Sequence, residues 1–201
     1  MTFFKGLCIG GFYAFVPTCA TAIIRHFAAR KKLMSSVAAS FGMAGAQLIW
    51  AFGAWIVYSL SLYLLQPKAP VVILFGSVML FFLAAKTYHR QERLEIQHDF
   101  NPRFFPSLGV GFVFFFSLPL RFLGYFALFA ILQIPSIPIL STTFSLLAGV
   151  FLGALLFWLG FTVCAHCKKD KLSPKAMHQL HKLAVVMLAI FTAFGIFKLY
   201  F

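Results

Sequence analysis

Residues 104–132 read FFPSLGVGFVFFFSLPLRFLGYFALFAIL, an apolar run in which Arg121 is the single charge. A spanning helix needs about 20 mostly apolar residues, because a hydrocarbon layer roughly 30 Å thick is covered at about 1.5 Å per residue. This run is longer than that and holds Pro119 and Arg121 near its middle. A proline inside a helix cannot donate to the carbonyl four residues back, so Pro119 frees the carbonyl of Phe115. The segment therefore reads as a membrane helix broken near its centre, with a guanidinium at the break.

The composition extends that reading to the whole chain. Of 201 residues, 62% are apolar and 10% charged, against about 45–50% and about a quarter in soluble domains. The same apolar content excludes intrinsic disorder. A net charge of +13 would fit a nucleic-acid partner only with a wet basic face. Here the basic residues stand in short clusters between apolar runs, so no nucleic-acid partner is expected. The sequence predicts an integral membrane protein with a lipid bilayer as its surroundings.

Outward from 104–132, five more apolar runs complete the count: Phe3–Ile24, Leu33–Leu65, Val71–Ala85, Ile139–Val163 and Leu183–Phe201. The first lacks the basic start, short apolar core and cleavage site of a signal peptide, and reads as a retained helix. The 33-residue second run reads as one tilted helix, since no proline or charge interrupts it. No linker or soluble segment divides the chain, so residues 1–201 are expected to form one domain of six transmembrane helices. Loops one, three and five carry 13 of the 17 Lys and Arg residues. Such a bias places those loops in the cytoplasm and both termini outside.

The two halves resemble each other. Gly10, Gly11 and Pro17 in the first run match Gly109, Gly111 and Pro119 in the fourth. Gly42, Ala46 and Gly53 have the spacing of Gly149, Gly153 and Gly160. The third and sixth runs end in Lys86-Thr87-Tyr88 and Lys198-Leu199-Tyr200. Three spans per half is an odd number, so the second half is inverted relative to the first. The expected fold is an all-α membrane protein, a 3+3 inverted repeat, which in transporters places the substrate beside broken helices. The small-residue stripes are read as helix contacts.

Site candidates cluster at the breaks. Pro17 frees the carbonyl of Tyr13, and Thr18, Thr21 and Ser117 are nearby hydroxyls. Arg121 sits in a span, and an intramembrane charge points to function. Its bidentate fork suits a carboxylate. Gln47, in the middle of the second run, offers neutral hydrogen bonding to a solute or to another helix. The substrate-binding set is thus Arg121, Pro119, Pro17, Thr18, Ser117, Gln47 and Tyr13. No catalytic residue, resident metal or cofactor is expected.

This layout resembles the LysE/RhtB family of amino-acid exporters over nearly the whole chain. That family has about 200 residues, six spans, a Ser-Pro-Gly-Pro type motif in the first helix and an Asn-Pro-Lys type motif in the fourth. Here the corresponding stretches read Val16-Pro17-Thr18-Cys19 and Leu118-Pro119-Leu120-Arg121. One proline matches in each, the asparagine is absent, and the basic residue is displaced by one. The resemblance implies export of an amino acid or similar small zwitterionic or anionic metabolite across a bacterial inner membrane, and a homodimer.

Two other readings rest on cysteine and histidine. Cys164, His166, Cys167, His178 and His181 include soft ligands, as a metal-cation exporter would need. Cys19 beside Pro17, with Cys8 on the same run, is similar to CcdA/DsbD-type thiol–disulfide carriers, although the fourth run has no cysteine. Cys164 and Cys167 otherwise read as reduced helix-end thiols.

Overall fold

The computed structural model describes residues 2–15, 19–30, 32–64, 69–89, 104–116, 120–134, 140–167 and 174–200. Among these residues all regular structure is helical. The helices are α1 (Thr2–Phe15), α2 (Cys19–Ala29), α3 (Leu33–Leu64), α4 (Ala69–His89), α5 (Phe104–Phe116), α6 (Leu120–Ile131), α7 (Leu140–Cys167) and α8 (Pro174–Tyr200).

The first and fourth apolar runs each contain two helices. Pro17 falls in the interval between α1 and α2, and Pro119 in that between α5 and α6. The long second run is one 32-residue helix. Helix α7 continues past Val163 to Cys167, and α8 begins nine residues before the expected Leu183. Charge explains the difference. Lys175–Lys182 ends the apolar stretch, but its residues include no further proline and no glycine, so they propagate a helix well. Pro174 opens that helix, a place where its missing N–H leaves no bond unmade.

Two helices, Leu33–Leu64 and Ser141–Cys167, are long and apolar enough to cross a membrane. Shorter apolar stretches lie at Pro70–Ala85, Phe104–Val113, Arg121–Ile131 and Lys182–Phe197. Large apolar side chains such as Phe75, Phe81, Phe105, Phe144, Leu156 and Phe197 lie on the outer surface. So wide an apolar exterior suits lipid or a partner better than water.

Packing is decided by glycine. Helix α1 lies along α7, and α5 lies along α3. A Cβ at Gly6 would collide with the Leu146 carbonyl, and one at Gly149 with the Phe3 carbonyl. In the other pair, Gly111 meets the Ala39 carbonyl and Gly42 meets that of Leu108. These contacts correspond residue for residue. Gly6 and Phe3 lie 105 positions before Gly111 and Leu108, and Ala39 and Gly42 lie 107 before Leu146 and Gly149. The same close crossing is therefore built twice, each time between one helix of the first half and one of the second. Helix α4 packs on α8 and α6, while α3 also contacts α7 and α6. Gly53 faces the ring of Phe122, whereas Gly109 and Gly160 have open space before them.

The C-terminus of α6 is fixed by three elements. Ile134 N–H donates to the Phe129 carbonyl at 3.1 Å and Gln133 N–H to that of Ala130 at 3.2 Å, the paired bonds of a left-handed helix stop. Lys5 Nζ donates to the Leu132 carbonyl at 3.3 Å, and Tyr58 Oη to that of Ile134 at 3.1 Å. Gln133 holds a φ of 47°, a conformation glycine adopts without a Cβ penalty.

Two predictions follow from backbone geometry. Gly111→Ala forces backbone apart and is expected to cost about 1–3 kcal/mol, whereas Gly109→Ala, two residues earlier and in open space, gains up to about 1 kcal/mol of helix propensity. Thermal unfolding of the two purified variants measures the difference. By the same assay Gln133→Gly stabilises by roughly 0.5–1 kcal/mol through relief of the left-handed residue.

Candidate functional site

Arg121 is the second residue of α6 and is buried, with 4% of its surface exposed. The first turn of a helix is the positive end of its dipole, so a cation there is unfavourably placed. Aromatic faces provide part of the compensation. The guanidinium carbon stands 3.6 Å from the centroid of Phe115 and 5.6 Å from that of Tyr13, within the range of cation–π attraction. Phe115 reaches it from the last turn of α5 and Tyr13 from the last turn of α1.

Tyr125 follows Arg121 by one turn and shares its face of α6. Its ring lies 4.4 Å from that of Tyr13. Gly124 makes room for this pair, since a Cβ there would overlap the Tyr13 ring and hydroxyl. Gln47 comes from α3 and is fully buried. Its Nε2 donates to the Gly10 carbonyl of α1 at 3.2 Å. The Tyr125 hydroxyl hydrogen-bonds with the Gln47 side chain and lies within electrostatic reach of Tyr13 and Arg121. Trp158 of α7 is also fully buried and meets Phe115 edge-on at 6.2 Å.

Two polar atoms here, Tyr13 Oη and Trp158 Nε1, are buried and find no hydrogen-bond partner among the described residues. Each such atom costs about 1–3 kcal/mol, and native structures rarely collect several in one place. By contrast, a second buried polar group on α3 and α7 is well bonded. Ser40 Oγ donates to the Ser36 carbonyl at 2.9 Å and pairs with Thr162 Oγ1 at 3.0 Å. That group acts as a helix contact.

Of the candidates from sequence, Arg121, Tyr13 and Gln47 come together. Pro17, Thr18, Ser117 and Pro119 lie outside the described residues. Thr21 is buried in α2. Of the two roles expected for Gln47, the structure shows the bond to another helix, from Nε2 to the Gly10 carbonyl. Gly42, Gly149 and Gly153 make helix contacts, as the stripe reading expects. Sequence reasoning missed Tyr125, Phe115, Gly124 and Trp158. The position of Tyr125 four residues after a buried arginine was a usable signal; the others required the packing.

No protein-family model, curated protein or solved structure matches this chain. The site is therefore read on its own chemistry. For the competing readings, Cys8, Cys164 and Cys167 are free and exposed, while the Cys19 side chain lies outside what is described. His166 Nδ1 pairs with the Thr162 carbonyl of its own helix at 2.9 Å. Among the described residues no three His, Cys, Asp or Glu side chains converge as metal ligands.

The Tyr13 hydroxyl and the Gln47 amide set a prediction. Tyr13→Phe removes an oxygen without a hydrogen-bond partner among the described residues and is expected to shift stability by less than about 0.5 kcal/mol or raise it, whereas Gln47→Ala loses the buried bond to the Gly10 carbonyl and opens a gap, costing about 1–3 kcal/mol. Differential scanning fluorimetry of the solubilised protein checks both.

Proposed function

We propose that this chain is a secondary transporter of the LysE/RhtB type, exporting an amino acid or similar small zwitterionic or anionic solute across a cytoplasmic membrane. The observation that carries the reading is the buried meeting of Arg121 with the hydroxyls of Tyr13 and Tyr125 and the amide of Gln47. A cluster of that kind is costly unless a ligand completes it. In this reading the solute enters beside Arg121, its carboxylate taken by the guanidinium fork, with the hydroxyls and the amide oxygen orienting the remainder.

The proposed architecture is six crossings in a 3+3 inverted repeat. Helices α1 and α2 together form one crossing, α5 and α6 another, and α3, α4, α7 and α8 the other four. The reading is supported by the equivalent glycine contacts of α1 with α7 and of α5 with α3, which exchange when the two halves are exchanged. It is further supported by the matching proline intervals after α1 and α5. Interrupted helices next to a central site are the usual construction of inverted-repeat transporters. The basic loops then face the cytoplasm and the termini face away from it.

Efflux from cells loaded with labelled amino and organic acids tests the assignment. Arg121→Ala is expected to lower export at least tenfold at equal membrane abundance, with Arg121→Lys retaining part of it. Export unchanged in Arg121→Ala would remove that residue from the site.

A further inference from the structure

We propose that Lys5 and Tyr58 latch the end of α6 and so close one side of the molecule, and that releasing them exchanges the packing of α6 with that of α2. This device goes beyond the transport reading and takes from it only which side is which: the latched end is the non-cytoplasmic one. Helices α2 and α6 are built alike down to their stops. Arg30 N–H donates to the His26 carbonyl at 3.3 Å and Lys32 N–H to that of Phe27 at 3.1 Å. Leu132 N–H donates to the Leu128 carbonyl at 3.0 Å and Ile134 N–H to that of Phe129 at 3.1 Å. The first set lies 102 positions before the second, the same offset that separates Pro17 from Pro119.

Their surroundings differ. Helix α6 packs on α4 and α8. A Cβ at Gly76 of α4 would stand 3.2 Å from Ala127 and Ala130 of α6, and one at Gly195 of α8 would strike Ser77 and Ile131. Exchanging the halves would put α8 and α4 on α2, and among the described residues α2 has no comparable packing on either. The stops differ too. Lys5 Nζ and Tyr58 Oη hold the Leu132 and Ile134 carbonyls, and a lysine there also suits the negative end of the helix dipole. The glycine contacts give offsets of 105 from α1 to α5 and 107 from α3 to α7. By those offsets the positions equivalent to Lys5 and Tyr58 are Val110 and Ala165. Neither side chain carries a donor, so neither can latch the end of α2. Equivalent halves held in unlike arrangements have two discrete packings to choose between. In the exchanged packing α8 closes on α2, α4 leaves α6 and the latch bonds part, as one repeat rocks against the other. Removing bonds made in only one packing shifts the population toward the other.

Ala28 of α2 and Ala130 of α6 are equivalent by the same offset of 102, and both are buried. A cysteine at either reports the packing of its own helix. The test uses the purified full-length chain in detergent, with its four native cysteines replaced by serine, carrying Ala28→Cys or Ala130→Cys. The rate of reaction with N-ethylmaleimide is measured with and without Lys5→Met and Tyr58→Phe. The two substitutions together are expected to raise the rate at the α6 reporter at least threefold and to lower it at the α2 reporter. Should that variant fail to fold, Tyr58→Phe alone keeps the ring against Phe126 and Phe129 and is expected to move both rates in the same directions. Hydrogen exchange of residues 26–32 and 128–134 in the chain with its native cysteines is expected to give the same opposite signs. Faster reaction at both reporters would mean general loosening and would overturn the latch, as would rates that do not change. Opposite changes in a chain that exports no solute would leave the latch standing and remove the transport reading. Export without opposite changes would remove the latch alone.

Discussion

Close approach of helix backbones at glycine is the constraint on which the rest of this molecule depends. Where α1 meets α7, and where α5 meets α3, the space a side chain would need is already filled by a carbonyl of the other helix. In an apolar environment there is little hydrophobic gain in burying one helix against another, so van der Waals contact at small residues decides which helices pair. Placing that contact twice sets α1 and α5 against α7 and α3. The last turns of α1 and α5 then bring Tyr13 and Phe115 to the start of α6, where Arg121 waits. Gln47 reaches the same place because α3 packs on α5 and α6 and bonds to α1.

Several buried polar side chains are bonded along their own helices, as Ser40, Ser77 and Thr192 are to carbonyls four residues back, while Trp50 Nε1 and Ser59 Oγ have no partner among the described residues. Around Arg121 aromatic rings flank the guanidinium, and the Tyr13 hydroxyl has no hydrogen-bond partner among the described residues. A core selected for stability alone would carry phenylalanine and leucine at those positions, since replacing an unsatisfied group by an apolar one of similar shape is neutral or favourable. Hydroxyls at those positions support the solute site proposed above.

The ends of α6 show how one short helix serves both needs. Its N-terminus carries the charge, and its C-terminus is held by Lys5 from α1 and Tyr58 from α3. Fixing the far end restrains the guanidinium at the near end, because a twelve-residue helix transmits position along its axis with little bending. The Tyr13 and Tyr125 rings pack over Gly124 between them.

Much of this was legible in the chain itself. Apolar runs of sufficient length dictated helices, two prolines marked where two of those runs divide, and a lone arginine in an apolar stretch marked the site, each through an energy that acts locally along the chain. Tyr13 and Gln47 were recoverable as polar groups in apolar surroundings. The start of α8 was not, because helix formation follows backbone propensity and continues past the point where the side chains become charged. Nor could the sequence say which glycines face a neighbouring carbonyl, as Gly111 does, and which face open space, as Gly109 does. Only the tertiary structure decided that Phe115, one aromatic residue among many, faces the guanidinium, with Trp158 behind it and Tyr125 against Tyr13. The reason is physical: periodicity along a helix records that a face is apolar, but the partner on that face is chosen by the fit of helices distant in sequence.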